Sequence, residues 1–129
     1  MKECLNKKEN VDYKKYRWFI TSSEKLVIGG KNEKQNEELV KNAKKNSVVI
    51  HTREPGSPFV IIDNPNAREL KEAAIFCAKY SQAWKKLGKR DITVHWFLAK
   101  DIFKTAEMKQ GTFGVKKFKQ IKIKKEEIE

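Results

Sequence analysis

The fold is decided by residues 48–88, which read VVIHTREPGSPFVIIDNPNARELKEAAIFCAKYSQAWKKLG. Two short apolar runs, residues 48–51 and 59–62, flank a loop that contains two prolines and a glycine. Runs of β-branched and aromatic residues that are bounded by turn residues are typical of β-strands. A longer amphipathic pattern begins at Asn66. The stretch therefore predicts two strands followed by a helix.

Sequence signals indicate where this helix begins and ends. Pro65 lies at or just before the first turn, where its fixed φ suits a helix start. Asn66 and Glu69 have the spacing of a capping box. Gly88 is a suitable stop. Between these ends, residues at three- and four-residue steps form one apolar or small face: Leu70, Ala73, Ala74, Cys77, Tyr80, Ser81, Trp84 and Leu87. One continuous helix to about residue 87 is predicted.

The flanking sequence adds strands and a second helix. Asn32 and Gln35 can cap a helix over residues 33–44, whose apolar stripe is narrow. Residues 101–107 are predicted to be irregular or a single helical turn. Further strands are predicted at residues 16–21, 26–28, 93–98 and within 112–124. The order β-β-α-β-β-α-β-β-β predicts one α+β domain, a mixed β-sheet with two main helices packed on one side of it.

Charge is the strongest compositional signal. The chain has 129 residues, 39% of them hydrophobic, which suits one domain with a modest core. Its net charge is +12, and residues 79–125 hold 14 basic residues against three acidic ones. Solubility accounts for many individual lysines but not for the loss of acidic residues in the second half. The excess favours a polyanionic partner, either nucleic acid or an anionic membrane surface.

Several other classes of protein are not expected. No stretch approaches the ~20 apolar residues of a transmembrane helix, and residues 1–10 lack the pattern of a signal peptide. Cys4 and Cys77 are too few and too far apart for a disulfide framework, so reduced thiols in a cytoplasmic protein are expected. His51 and His95 form no close ligand pair with each other or with the cysteines. The sequence therefore predicts no metal and no cofactor. Of the two polyanionic partners we favour nucleic acid and expect no membrane partner.

Two local features could bind a phosphate group. Gly29-Gly30-Lys31 precedes a helix N-terminus, where backbone N–H groups can hold an anion, although it is not a Walker A loop. The alternative is a plain turn. His51 ends a strand beside Arg53 and could contact a phosphate or a base edge, or act as a general base. The alternative is a hydrogen-bonded structural histidine.

Aromatic and basic residues alternate at residues 16–19 and 113–118. Exposed aromatic rings beside lysine or arginine can stack on nucleobases. Strand alternation would instead place about half of these rings in the core.

A set of short motifs in a fixed order resembles a known family. They are YRWFITSS at 16–23, LVIGGK at 26–31, QNE at 35–37, His51, Gly56, Pro58, EAA at 72–74, YSQAW at 80–84, Lys104, GTF at 111–113 and Lys116-Lys117. Together, over residues 16–118, they resemble the NFACT-R domain, the C-terminal part of the NFACT proteins of ribosome-associated quality control. This domain also occurs as a short stand-alone protein.

The resemblance implies RNA binding in connection with the ribosome and tRNA, with DNA as an alternative for stand-alone relatives. It implies these contacts: Arg17, Lys31, Asn36, His51, Tyr80, Ser81, Lys104, Lys116 and Lys117. Arg53 adds a positive charge where relatives often have an acidic residue and a second histidine, and Lys119 extends the basic C-terminal run. We expect a polar segment at 1–15, a nucleic-acid-binding domain at 16–125 and an acidic end at 126–129.

The sequence thus favours an RNA-binding module that acts on tRNA or ribosome-associated RNA in translation quality control and has no catalytic residue. Two alternatives stay open. One is an enzyme acting on RNA or a nucleotide, with His51 as general base near Glu54 or Glu37, which needs a deep, partly apolar pocket around His51. The other is a module that docks on a ribosomal or quality-control protein, which needs an exposed apolar patch.

Overall fold

A computed structural model describes residues 13–86 and 88–129. The strands are β1 (Arg17–Ile20), β2 (Leu26–Gly29), β3 (Val48–Thr52), β4 (Val60–Ile62), β5 (Ile92–Leu98), β6 (Ile102–Phe103), β7 (Gly114–Val115) and β8 (Lys119–Ile123). The helices are α1 (Glu33–Asn42), α2 (Ala67–Lys79), α3 (Gln82–Lys86) and α4 (Lys125–Ile128). Six strands form one sheet in the order β1-β2-β4-β3-β5-β8, and β6 pairs with β7 in a small second sheet. The predicted α+β class is confirmed.

The two main helices cover opposite faces of the sheet. On one face, which we call the α2 face, Val48 and Ile50 share a core with residues of α2. On the other, the α1 face, Val49 packs with Val40 of α1 and with Phe97. The prediction that both helices lie on one side is wrong. Successive residues of β3 are apolar, and because they point to opposite faces, both faces need a cover.

The sheet is antiparallel rather than mixed. Every strand pairing among the described residues is antiparallel. β3 and β4 form a hairpin, and β3 also pairs with β5. The chain segment that contains α2 therefore joins two strands, β4 and β5, that run in the same direction but are separated by β3. The parallel contact expected from such a crossover does not form.

Both predicted helix starts are confirmed. Asn66 and Glu69 form the capping box of α2, and the side chain of Asn32 accepts a hydrogen bond from the Gln35 N–H at 2.9 Å. The prediction of one helix to residue 87 is wrong, because α2 ends at Lys79. The hydroxyl of Ser81 donates to the carbonyl of Ala78 at 2.7 Å and accepts the N–H of Trp84 at 3.2 Å. A serine that bonds the backbone in this way ends one helix and starts the next.

The remaining boundaries differ in detail. α1 ends at Asn42 rather than residue 44, and the strand β6 lies within a segment predicted to be irregular. Ile128 of α4 is buried in the core of the α2 face, so the acidic C-terminal end packs against the domain. Among the described helices, none is long and apolar enough to cross a membrane. Cys77 is a buried free thiol, while Cys4 and most of the predicted segment 1–15 lie outside the described residues.

Candidate nucleic-acid interface

Two cations lie against one aromatic ring, and a third lines the same cleft. Arg17, Lys31 and Lys85 line a cleft of about 220 Å³ together with Tyr80, and we call this the basic cleft. The Arg17 guanidinium lies over the Tyr80 ring at 4.4 Å from its centre, and the Lys85 ammonium approaches the same ring at 5.8 Å. Tyr80 is held in turn by Phe76, whose ring meets it edge-on at 5.3 Å. Cation–π contacts of this kind fix the direction of the charged groups.

The Gly29-Gly30-Lys31 turn forms one wall of this cleft. A Cβ at Gly30 would lie 2.1 Å from Oδ1 of Asn36, so no side chain fits there. That oxygen accepts the N–H of Phe59 at 3.0 Å, and Asn36 is buried. Asn36 thus ties α1 to the residue before β4, while the exposed Lys31 reaches the rim of the cleft.

The opposite wall is the loop over residues 53–58. The carbonyl of Gly56 accepts the N–H of Gln82 at 2.7 Å, which fastens the loop to the start of α3. Gly56 has a φ of +91°, a conformation that favours glycine. The adjacent Ser81 is fully buried, and its hydroxyl is committed to the α2–α3 junction, so it does not face solvent.

His51 is a neutral, packed side chain. Its Nδ1 is 2.7 Å from the carbonyl oxygen of Thr52, to which the neutral ring donates, and its ring lies against Phe59 at 4.4 Å. Burial lowers the pKa of His51 to about 4. At neutral pH the imidazole therefore brings no positive charge to a phosphate.

Arg53 is the exposed cation nearest to His51 in the chain. Its side chain pairs with Glu54 at 3.6 Å, and its N–H donates to the carbonyl of Thr93 at 2.9 Å. Exposed pairs of this kind contribute little to stability, so the guanidinium can exchange Glu54 for another anion at small cost.

Lys104 is committed to the long loop after β6. Its ammonium lies 3.2 Å from the Glu37 carboxylate, donates to the carbonyl of Thr112 at 2.8 Å and sits 4.6 Å from the centre of the Phe113 ring. The N–H of Gly111 donates to the same carboxylate at 2.7 Å. This bond, together with Lys104, lowers the pKa of Glu37. Lys104 therefore fastens the loop to α1.

The C-terminal lysines lie apart from the basic cleft. Lys116, Lys117 and Lys119 are exposed, and we call them the lysine segment. The N–H of Lys116 donates to the carbonyl of Asp101, just after β5, whereas Arg53 is bonded beside the start of β5. Lys119 pairs with Trp96 in the middle of β5, and the cleft lining does not include the lysine segment.

Apart from Arg53, an exposed cation paired with Glu54, the predicted contacts divide into three groups. Arg17, Lys31 and Tyr80 meet in the basic cleft, and the lysine segment forms a second basic region. Asn36, His51, Ser81 and Lys104 are engaged within the fold. Lys85 was not singled out by sequence reasoning, because only the break at Ser81 brings it to the cleft. Among the described residues there is no cluster of histidine, cysteine, aspartate or glutamate that could hold a metal ion.

An α+β domain with two basic surface regions defines a candidate nucleic-acid-binding module. The sequence model of the family described as "NFACT protein RNA binding domain" matches residues 15–117, and the chain belongs to this family. The resemblance to the NFACT-R domain is therefore confirmed.

Relatives with similar sequences are subunits of ribosome quality control complexes. "Ribosome quality control complex subunit NEMF homolog" of Drosophila melanogaster is 35% identical over 100 residues, which are 73% of this chain and 10% of that protein. "Ribosome quality control complex subunit NEMF" of Homo sapiens is 34% identical, over 67% of this chain and 8% of its own length. "Ribosome quality control complex subunit 2" of Schizosaccharomyces pombe is 27% identical, over 81% and 11%. The chain spans about a tenth of these relatives.

A solved structure has the same fold. It is the C-terminal part of the fibronectin/fibrinogen-binding protein from Streptococcus suis, with a TM-score of 0.75 and 22% identity. The match covers 95% of this chain and 54% of that one. At this identity the likeness shows the fold alone.

Proposed function

We propose that this chain binds RNA in translation quality control and acts as a binding module rather than an enzyme. The family to which it belongs is described as an RNA-binding domain, and the relatives are ribosome quality control subunits. The observation that carries the proposal is the basic cleft, where Arg17 and Lys85 contact Tyr80 and Lys31 lines the same cleft, in a chain of net charge +12. RNA phosphates are the natural partners of such a surface.

Arg17 is the residue in the cleft best suited to a specific contact. Because its guanidinium is stacked on Tyr80, less side-chain entropy is lost when it binds. A planar guanidinium donates two parallel hydrogen bonds to a phosphate, while Lys31 and Lys85 act as point charges. In this proposal the cleft orients the RNA, and the lysine segment adds affinity through a second set of phosphates.

Structured RNA, such as tRNA or ribosomal RNA, is the proposed ligand. Double-stranded RNA is recognised by its shape and by contacts to phosphates and 2′-hydroxyls, which suits two separate basic regions. DNA is the alternative ligand, and the experiment below separates the two.

The geometry of His51 argues against the enzymatic alternative. The apolar clefts beside α1 are lined by Leu39 and Ile61 in one case and by Val40 and Phe103 in the other, and not by His51. With its Nδ1 bonded to the Thr52 carbonyl and its pKa lowered to about 4, His51 is a weak base. A general base works best when its pKa is near the working pH.

The proposal is tested by measuring affinity for a tRNA and for a DNA duplex of similar mass. The Lys31→Ala/Lys85→Ala variant removes two exposed cations from the cleft. The Arg68→Ala/Lys71→Ala variant removes the same charge from the first turns of α2, at the opposite end of that helix from Tyr80. We expect tighter binding to tRNA than to DNA, weakened by the cleft variant and kept by the control. Absence of tRNA binding at low salt, or equal weakening in both variants, would contradict the proposal.

A further inference from the structure

Phe118 is an exposed aromatic ring between basic residues. Its exposed fraction is 47%, above the 41% of Phe103 and the 40% of Trp18. It lies one residue beyond the part of the chain matched by the family. Exposed lysines, Lys117 and Lys119, adjoin it in the chain. A large apolar surface that is exposed to solvent beside cations suits a ligand with both an apolar face and negative charge.

A neighbouring side chain holds the Phe118 ring in a fixed orientation. It stacks on the imidazole of His95 with 4.2 Å between the ring centres and 16° between the planes. His95 is itself fixed within β5, opposite His51 of β3. Its Nε2 is buried, with no hydrogen-bond partner among the described residues. One face of Phe118 is thus supported, and the ring is ordered before a ligand arrives.

A positive charge also lies close to this stack. Burial lowers the pKa of His95, and the nearby charge of Arg53 lowers it further. His95 is therefore neutral at physiological pH, and its contact with Phe118 is a stack of two uncharged rings. Arg53 is exposed and can hold an anion beside the stack.

We propose that Phe118 is a stacking platform for one unpaired nucleobase of RNA. In this stack Phe118 lies between the imidazole of His95 and the base. Arg53 and Lys117 hold the phosphates next to that base. This inference rests on the proposed RNA binding and deepens it, since it assigns a preference for unpaired nucleotides. Every base has a π-face that stacks on an aromatic ring, whereas a base inside a duplex has both faces occupied.

The experiment compares two RNA ligands of equal length, an unstructured adenosine-rich single strand and a blunt duplex. Affinities are measured for the wild type, Phe118→Ala and Phe118→Tyr. The matched control is Phe103→Ala, which removes an aromatic ring of similar exposure from β6. Circular dichroism and thermal melting establish that each variant is folded.

For Phe118→Ala we expect affinity for the single strand to fall between about fivefold and about 150-fold, the range found when a stacking aromatic is removed. Affinity for the duplex should change less than about twofold. Phe118→Tyr keeps a ring and should bind like the wild type, as should Phe103→Ala. With 5-iodouridine in the single strand, ultraviolet crosslinking should join the RNA to the peptide that contains Phe118.

Other results would overturn the inference. If Phe118→Ala binds the single strand as tightly as the wild type, or loses both RNAs equally, no base stacks on this ring. Crosslinks confined to peptides that lack Phe118 lead to the same conclusion. In each of these cases RNA binding by the wild type still stands. If the wild type binds neither RNA, the proposed function fails together with this inference.

Discussion

Replacing two neighbouring lysines should change the salt dependence of RNA binding by a definite amount. Lys116 and Lys117 are exposed, and the described residues offer no ion pair to either side chain. If both neutralise phosphates, the Lys116→Ala/Lys117→Ala variant releases two fewer sets of counterions. Each set contributes about 0.7 to 0.9 to the slope of log K against log salt concentration.

The expected magnitude follows directly. Two lost contacts reduce the steepness of the slope by about 1.4 to 1.8. At 0.1 M salt this corresponds to affinity weakened about 25-fold to 60-fold, or ~2 kcal/mol of binding free energy. At higher salt the wild type and the variant should converge, because the lost contribution is that of released counterions.

The assay is fluorescence anisotropy with a labelled tRNA, titrated at a series of potassium chloride concentrations between 0.05 and 0.3 M. Arg68→Ala/Lys71→Ala is the control, since it removes the same charge from the α2 face. Its slope should stay within experimental error of that of the wild type. The reasoning is refuted if the Lys116/Lys117 variant keeps the wild-type slope, or if the control loses as much.

Three further predictions concern residues that hold the fold. Asn36→Ala leaves the buried backbone N–H of Phe59 without its acceptor and should lower the free energy of unfolding by about 1–3 kcal/mol in urea denaturation. An unchanged free energy of unfolding would contradict the role given to this side chain. The ring protons of His51 should titrate in NMR near pH 4. Because the unfolded chain takes up this proton more readily, the free energy of unfolding should fall as the pH drops from about 6.5 towards 4. A titration midpoint near pH 6.5 would refute the burial of His51. Hydrogen bonds from the Ser23 hydroxyl and the Asn66 N–H lower the pKa of Glu69, so its contribution to stability is present above about pH 4.3 and is lost on acidification. The Glu69→Gln variant should therefore lose less stability than the wild type between pH 7 and pH 3. An equal loss of stability would contradict this role.

Local signals in the sequence predicted local structure well. The caps at Asn32 and Asn66 were recognisable because a cap joins residues three apart in the chain. The break at Ser81 was not, since serine at that spacing also fits the face of a continuous helix. Only a tertiary contact, the hydrogen bond from the Gln82 N–H to the Gly56 carbonyl, determines where α3 begins.

The site was less predictable than the fold, because its contacts join distant parts of the chain. Lys104 was predicted to contact RNA, yet its ammonium bonds Glu37, which lies 67 positions away. Arg17 and Tyr80 were both predicted as contacts, but their stacking on each other was not. Sequence identifies residue types suited to a phosphate; the fold decides which of them stay exposed.

The central claim, that RNA binds across the basic cleft and the lysine segment, is tested most directly by NMR. Amide shifts of the isotopically labelled protein would be followed during titration with tRNA. We predict the largest shifts at Lys31, in the loop over residues 53–58 and along the lysine segment, with little change at Arg68 and Lys71 of α2. Shifts concentrated on the exposed side of α2, or no shifts at saturating RNA, would contradict the account.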